Sequence, residues 1–174
     1  LSAPLPVSPF RGDLLDLLGY RSYLAHGRRV SELEERVTKV AIVGRNGTVN
    51  VGELPTPVPG RGEVLFRPLR IGLRLGPEKN SLAAQGIAGE VVQVGPGVED
   101  ILAGDHYAVR PLVGCGNCDF CIRSLENLCP KPYHVHGFGE AGAFAELFVI
   151  PPAAIAEGCL IRLPDGVDPD TGLF

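Results

Sequence analysis

VGCGNCDFCIRSLENLCP, residues 113–130, carries four of the five cysteines in the chain, spaced Cys115-x2-Cys118-x2-Cys121-x7-Cys129. Thiolates are soft ligands, and four of them suit one tetrahedral zinc ion at about 2.3 Å per bond. Close spacing lets successive sulfurs turn toward one point, and Gly114 and Gly116 permit the tight backbone this requires. Arg123 and neighbouring backbone N–H groups are in place to soften the net negative charge of a zinc tetrathiolate. The stretch offers few large apolar side chains, so a metal can replace a local core.

Two other chemistries use clustered cysteines. Two disulfides are opposed by the crowding of three cysteines at x2 spacing and by a reducing compartment. An iron–sulfur cluster is suggested by Cys-x2-Cys-x2-Cys with a later Cys-Pro, but the final gap of a ferredoxin run is about three residues. Here it is seven. Zinc is the preferred reading, with the other two left open at this point. A zinc held by four cysteines has no open coordination position, so it would hold structure and not catalyse.

Outward from this segment the chain reads as a β-rich globular protein. Its 174 residues are enough for one ordinary core and an appendage. Hydrophobic residues at 45% and charged residues at 21% exclude a disordered class. A net charge of −4 gives no electrostatic reason to expect nucleic acid or an anionic membrane. No apolar run reaches the roughly 18–20 residues that span a bilayer. LSAPLPVSPFRGD at the N-terminus lacks the basic start and apolar core of a secretion signal, so the expected location is the cytoplasm, with reduced cysteines. There is no Met even at position 1, so the first residue is not expected to be the initiator.

Residues 1–37 read as a helical extension. Asp13 is an N-cap candidate before an apolar stripe of Leu14, Leu15, Leu17, Leu18 and Leu24, and Ser31-x-x-Glu34 is a capping-box pattern. Helices this short need a surface to pack on. From residue 38 the signal changes to strands, beginning with KVAIVGRNGTVNVGELP around an Asn46-Gly47 hairpin turn. PTPVPGRG (55–62) reads as a connection. GEVLFRPLRIGL, AGEVVQVGPGVE, GDHYAVRP, GAFAELFVIPP (142–152) and CLIRLPDG (159–166) read as further strands. Glycine (23) and proline (16) supply the turns of a barrel or sandwich. Cys159, within strand-like sequence, reads as a small buried hydrophobe. His134 and His136, in a glycine-rich stretch without a third ligand, read as a surface pair.

These motifs together resemble the zinc-dependent medium-chain alcohol dehydrogenases. The cysteine segment is similar to that family's structural-zinc lobe, here residues 112–132. TKVAIVGRNGTVNVGELPTPVPGRGEVLFRPLRIG resembles its opening hairpin and following strand. AGEVVQVGPGVEDILAGDHYAVRP resembles its Gly-Glu-Val-x-x-x-Gly strand, and GAFAELFVIPPAAIAEGCLIRLPDGV its last strands before the cofactor domain. The resemblance covers roughly residues 38–170. It implies a mainly β, GroES-like, partly open barrel over residues 38–174, with one structural zinc on Cys115, Cys118, Cys121 and Cys129.

The departures from that family bear on function. Aligned on Gly62-Glu63-Val64, the family's first catalytic-zinc cysteine falls on Arg74. The His and Glu of its Gly-His-Glu motif fall on Gln85 and Gly86, and the long loop between these sites is reduced to PEKNSLAA. A guanidinium cannot ligate Zn²⁺, and Gln is a poor ligand beside imidazole. No Gly-x-Gly-x-x-Gly follows a strand and opens a helix, and the sequence stops at LPDGVDPDTGLF, where the family would enter its Rossmann domain. No catalytic or cofactor-binding residue is therefore assigned, and the chain alone is not expected to bind NAD(P). The expected partners are a second copy or a Rossmann-domain chain. The leucine stripe is expected to cover the barrel's cleft side or a homodimer interface, with Arg74 paired to Glu78 or facing solvent. The functional reading is a zinc-binding, GroES-like module without activity of its own. Its alternatives are half of a split NAD(P)-dependent oxidoreductase and an iron–sulfur electron carrier.

Overall fold

A computed structural model of the protein describes residues 37–43, 49–75, 82–134 and 142–173. The first described elements form the expected hairpin. β1 (Val37–Val43) and β2 (Val49–Pro55) pair antiparallel, from Val37 opposite Pro55 to Val43 opposite Val49. The expected Asn46-Gly47 turn lies outside the described residues. Thr38, Val40 and Leu54 are buried. The Thr38 hydroxyl meets that of Thr56 at 3.2 Å, which satisfies the buried polar group.

The remaining strands are β3 (Val64–Leu75), β4 (Leu82–Val94), β5 (His106–Val109), β6 (Leu112–Val113), β7 (Tyr133–His134), β8 (Phe148–Ile150) and β9 (Leu160–Arg162). Two short helices, α1 (Asp119–Ile122) and α2 (Pro152–Ala156), interrupt them. Among the described residues the main sheet has the order β8-β3-β4-β5-β9 and is not closed; β1-β2 and β6-β7 are separate two-stranded ribbons. All of these pairings are antiparallel. The architecture is mainly β, as the sequence indicated.

The longest ladder joins β3 to β4, and its register shifts beside Pro68, which has no N–H to donate. Val64, Phe66, Ile87, Val91, Tyr107, Val109, Phe148 and Ile150 meet between the layers to form the core. The Phe66 and Phe148 rings pack 5.6 Å apart at 58°, a tilted arrangement that aromatic pairs favour. Phe66 is fully buried, so Phe66→Ala is expected to cost about 3–5 kcal/mol. Urea unfolding measures this, and an unchanged midpoint contradicts it. At the surface, Arg162 reaches Asp105 at 2.9 Å, and this guanidinium holds the Asp105 carboxyl below its ordinary range.

The segment 142–152 differs from its reading as one strand. Gly142–Phe144 is a 3-10 turn, only Phe148–Ile150 is strand, and Pro152–Ala156 is helix. Proline at the start of α2 has its φ already set for a helix, and the alanines after it extend the turn at little cost. The expected helices of residues 1–36, including the leucine stripe, lie outside the described residues.

Candidate metal centre

The lobe containing the four cysteines leaves the fold through β6 and returns through β7, which pair Leu112 with His134 and Val113 with Tyr133. Neither α1 nor the following 3-10 turn, Glu126–Leu128, buries a side chain. Phe120, Ile122 and Leu128 are exposed. The lobe therefore lacks the apolar interior that ordinarily holds two short helical turns together.

Local structure brings the sulfurs together instead. Cys118 is the N-cap of α1, and Ile122 N–H donates to its carbonyl at 3.0 Å. Cys121 lies three residues on, hence on the same side of the turn; the two sulfurs are 3.5 Å apart. The 3-10 turn then carries Cys129 back, 3.9 Å from Cys118 sulfur to sulfur. All four Sγ atoms lie within 4.8 Å of one another. A tetrahedron of zinc–sulfur bonds has edges of about 3.8 Å, from bonds of about 2.3 Å. The observed separations bracket that edge. Among the described residues this is the one group of three or more His, Cys, Asp or Glu ligand atoms that converges.

Backbone amides surround the sulfurs. Cys115 N–H and Lys131 N–H each donate to Cys129 Sγ at 3.4 Å. The amide of Asn117 draws the Cys115 thiol down to about 7, aided by the side chain of Cys129 and the amide of Cys118. As a thiol, Cys115 donates to Asn117 Oδ1 at 3.1 Å. Cys121 goes the other way, to about 12, because burial and then the neighbouring Cys118 oppose its charge, while the amide of Gly116 pulls it back in part. The surroundings thus shift these two thiols in opposite directions. Such N–H donors spread the charge of a tetrathiolate. Arg123, expected to share that work, is exposed, and its own N–H closes the end of α1 on Phe120 O at 3.1 Å.

The glycines of the lobe have distinct reasons. A Cβ at Gly114 would meet Cys121 Sγ, so the chain passes too close to the centre for a side chain. Gly116 has φ +75°, in the left-handed region.

None of the four cysteines is in a disulfide, and neither is Cys159. Cys159 is fully buried, and burial pushes its thiol up to about 12, in keeping with a small hydrophobe. The positions aligned with the family's catalytic site fall on the β3–β4 ladder. Arg74 pairs with Ala83, and Gly86 pairs with Gly72, with Gln85 between the paired Ala84 and Gly86. The ladder continues to Leu75 opposite Leu82, so residues 76–81 alone connect the strands. His134 lies in β7; His136 and Glu78 are outside the described residues.

Residues 75–165 match the family of alcohol dehydrogenase GroES-like domains. The chain belongs to that family. L-threonine 3-dehydrogenase of Pyrococcus furiosus is 34% identical over 115 residues, covering 57% of this chain and 32% of that protein. Sorbitol dehydrogenase of Bacillus subtilis is 28% identical over 151 residues, covering 74% of this chain and 43% of that protein. Among solved structures, an oxidoreductase/dehydrogenase of unknown specificity from Escherichia coli superposes with a TM-score of 0.65 at 25% identity, covering 79% of this chain and 43% of that one. The GroES-like chain thus spans less than half the length of these relatives, and it is related to the zinc-dependent medium-chain dehydrogenases.

Proposed function

We propose that this GroES-like protein is a zinc-stabilised module of dehydrogenase type, with one ion held by Cys115, Cys118, Cys121 and Cys129 and no hydride-transfer activity in the isolated chain. The observation that carries this reading is the convergence of four sulfurs within 4.8 Å in a lobe without an apolar interior. Bound zinc supplies a cross-link among four points of the lobe. Cys115 and Cys118 hold the first turn, Cys121 the helix, and Cys129 the return. The close sulfur spacing favours a single ion over an iron–sulfur cluster, whose cysteines bind different irons and stand further apart. The need for reduced thiols goes with a cytoplasmic location. Elemental analysis of the full chain is expected to give one zinc per chain; iron with inorganic sulfide, or no metal, refutes the reading.

A second reading is favoured by the comparisons, whose dehydrogenases are more than twice as long as the part matched here. In it the module pairs with a dinucleotide-binding Rossmann domain on another chain, as half of a split NAD(P)-dependent oxidoreductase. Self-association is the alternative partnership. Neither partnership changes what is expected of this chain by itself. Its one Gly-x-Gly-x-x-Gly string, Gly137 to Gly142, leads into the three-residue 3-10 turn Gly142–Phe144 and then β8, without the long helix that receives a pyrophosphate in a dinucleotide-binding unit. Calorimetry with NADH and NADPH is expected to show no binding, and a micromolar dissociation constant refutes this.

A further inference from the structure

The backbone holds Cys118 and Cys121 differently from the other two cysteines of the lobe. Their sulfurs, 3.5 Å apart, stand on a single turn. Ile122 N–H donates to Cys118 O at 3.0 Å and Ser124 N–H to Cys121 O at 3.0 Å, so α1 is closed by bonds of its own. Cys118 occupies the N-cap, yet its sulfur makes no capping hydrogen bond and faces Cys121 and Cys129 instead. Cys129 arrives from the separate 3-10 turn. Its sulfur is buried and accepts the N–H groups of Cys115 and Lys131. Cys115 Sγ is engaged with Asn117 Oδ1 at 3.1 Å. The Cys118–Cys121 pair is therefore set by local structure, whereas the other two sulfurs are brought in from either side of it.

That layout suits disulfide formation. A disulfide needs Cα atoms within about 7 Å and sulfurs about 2.05 Å apart. Positions three apart on one helical turn meet the first condition. The second needs the sulfurs to close by about 1.5 Å from where they stand, a change within reach of side-chain rotation. Both cysteines are half-buried, so a small oxidant reaches them, while Cys159 is fully buried. Joining them would remove two of the four sulfurs available to a metal ion. It would also cross-link no more than one turn, which restrains little of the lobe. The lobe hangs from two paired residues on each side, and neither α1 nor the 3-10 turn buries a side chain that could take over.

We propose that Cys118 and Cys121 are a peroxide-oxidisable pair, and that their disulfide empties the metal centre and unfolds the lobe while the barrel stays intact. This rests on the zinc reading above. The oxidant is hydrogen peroxide, and the step balances. One sulfur attacks the oxygen–oxygen bond, taking up a hydroxyl as a sulfenic acid while the first water leaves. The partner sulfur then displaces that hydroxyl as the second water, and the sulfur–sulfur bond forms. Two thiols give up two protons and two electrons in all, and the peroxide is reduced to two waters. In a reducing compartment such a bond is transient and serves as a sensor, because exchange with a dithiol restores both thiols.

The experiment treats the full wild-type chain, its zinc content measured beforehand, with stepwise equivalents of hydrogen peroxide. Zinc release, peptide mapping of the cysteines by mass spectrometry and hydrogen exchange are followed on the same samples. One equivalent is expected to convert Cys118 and Cys121 to a disulfide with loss of the zinc ion. Cys159 should stay a thiol throughout. Exchange should become fast across residues 114–132 and remain slow in the core strands. Dithiothreitol followed by zinc should restore both the metal content and the protected lobe. A zinc-loaded chain overturns the inference, and leaves the zinc reading intact, if oxidation joins another pair or two chains, or yields sulfinic acids without a disulfide. The same holds if the disulfide forms while zinc is retained. A wild-type chain that carries no zinc before treatment overturns both.

Discussion

Cys118→Ser is expected to abolish stoichiometric zinc binding and to disorder the lobe while the barrel stays folded. Cys118 is the N-cap of α1, and its sulfur lies within 4 Å of two others, Cys121 and Cys129. A serine oxygen is a hard, neutral ligand in place of a thiolate, and three cysteines leave the ion a water-exposed position. The energy at stake is large, because a structural zinc site can contribute on the order of 10 kcal/mol to the segment it folds. Nothing in the lobe replaces it, since α1 and the 3-10 turn bury no side chain. The barrel should survive, because the core cluster draws only Val113 from the lobe's base and nothing from residues 114–132. Hydrogen exchange is the measurement. Fast exchange confined to the lobe supports the reading, and a protected lobe in the zinc-free variant contradicts it. Acid should produce the same state in the wild type. Ligand thiols must lose protons to bind, so zinc occupancy falls as pH drops and rises as it climbs. Cys115, drawn to about 7 by the Asn117 amide, gives up its proton more easily than Cys121, which burial raises to about 12.

The ligand set was legible in the sequence because x2 spacing is local geometry. Cys118 and Cys121 share one turn of helix wherever the chain places that turn. The strands around Val64–Phe66 and Tyr107–Val109 were legible for a similar reason, since turn residues bound a short apolar run. The 142–152 segment was not. Its alternation of Ala, Phe and Val fits a strand as well as two turns, and Pro151-Pro152 was the overlooked signal of a helix start. Least legible were the contacts that tune the centre. Glycine at 116 announces a turn, but nothing near it in sequence announces that the Glu157 carboxylate lies beside it. The amide donors to sulfur carry no sequence signature, since every residue type has the same N–H.

Gly89→Ala is expected to be among the most destabilising single-methyl additions in this protein. Gly89 lies at the centre of β4, opposite Pro68 on one side and Tyr107 on the other. An added Cβ would meet the carbonyl oxygen of Arg67, and it would stand 2.9 Å from the Phe66 ring and 3.0 Å from the Arg67 carbonyl carbon. Two of these atoms are backbone, so no side-chain rotation relieves the clash. β3 would have to move, and its residues Val64 and Phe66 are fully buried in the core. Overpacking that shifts backbone in a packed core costs about 1–3 kcal/mol and occasionally more, and a clash with two backbone atoms belongs at the upper end, a large share of a total stability of about 5–15 kcal/mol. Gly104→Ala separates this from conformational preference. Gly104 has φ +91° with open space around it, so its alanine variant loses only the left-handed preference, about 1–2 kcal/mol. Gly89 carries no such φ, and its cost is contact alone. Chemical denaturation of the two variants should therefore rank Gly89→Ala well below Gly104→Ala in stability. The reverse order would mean that β3 and β4 yield where the packing says they cannot.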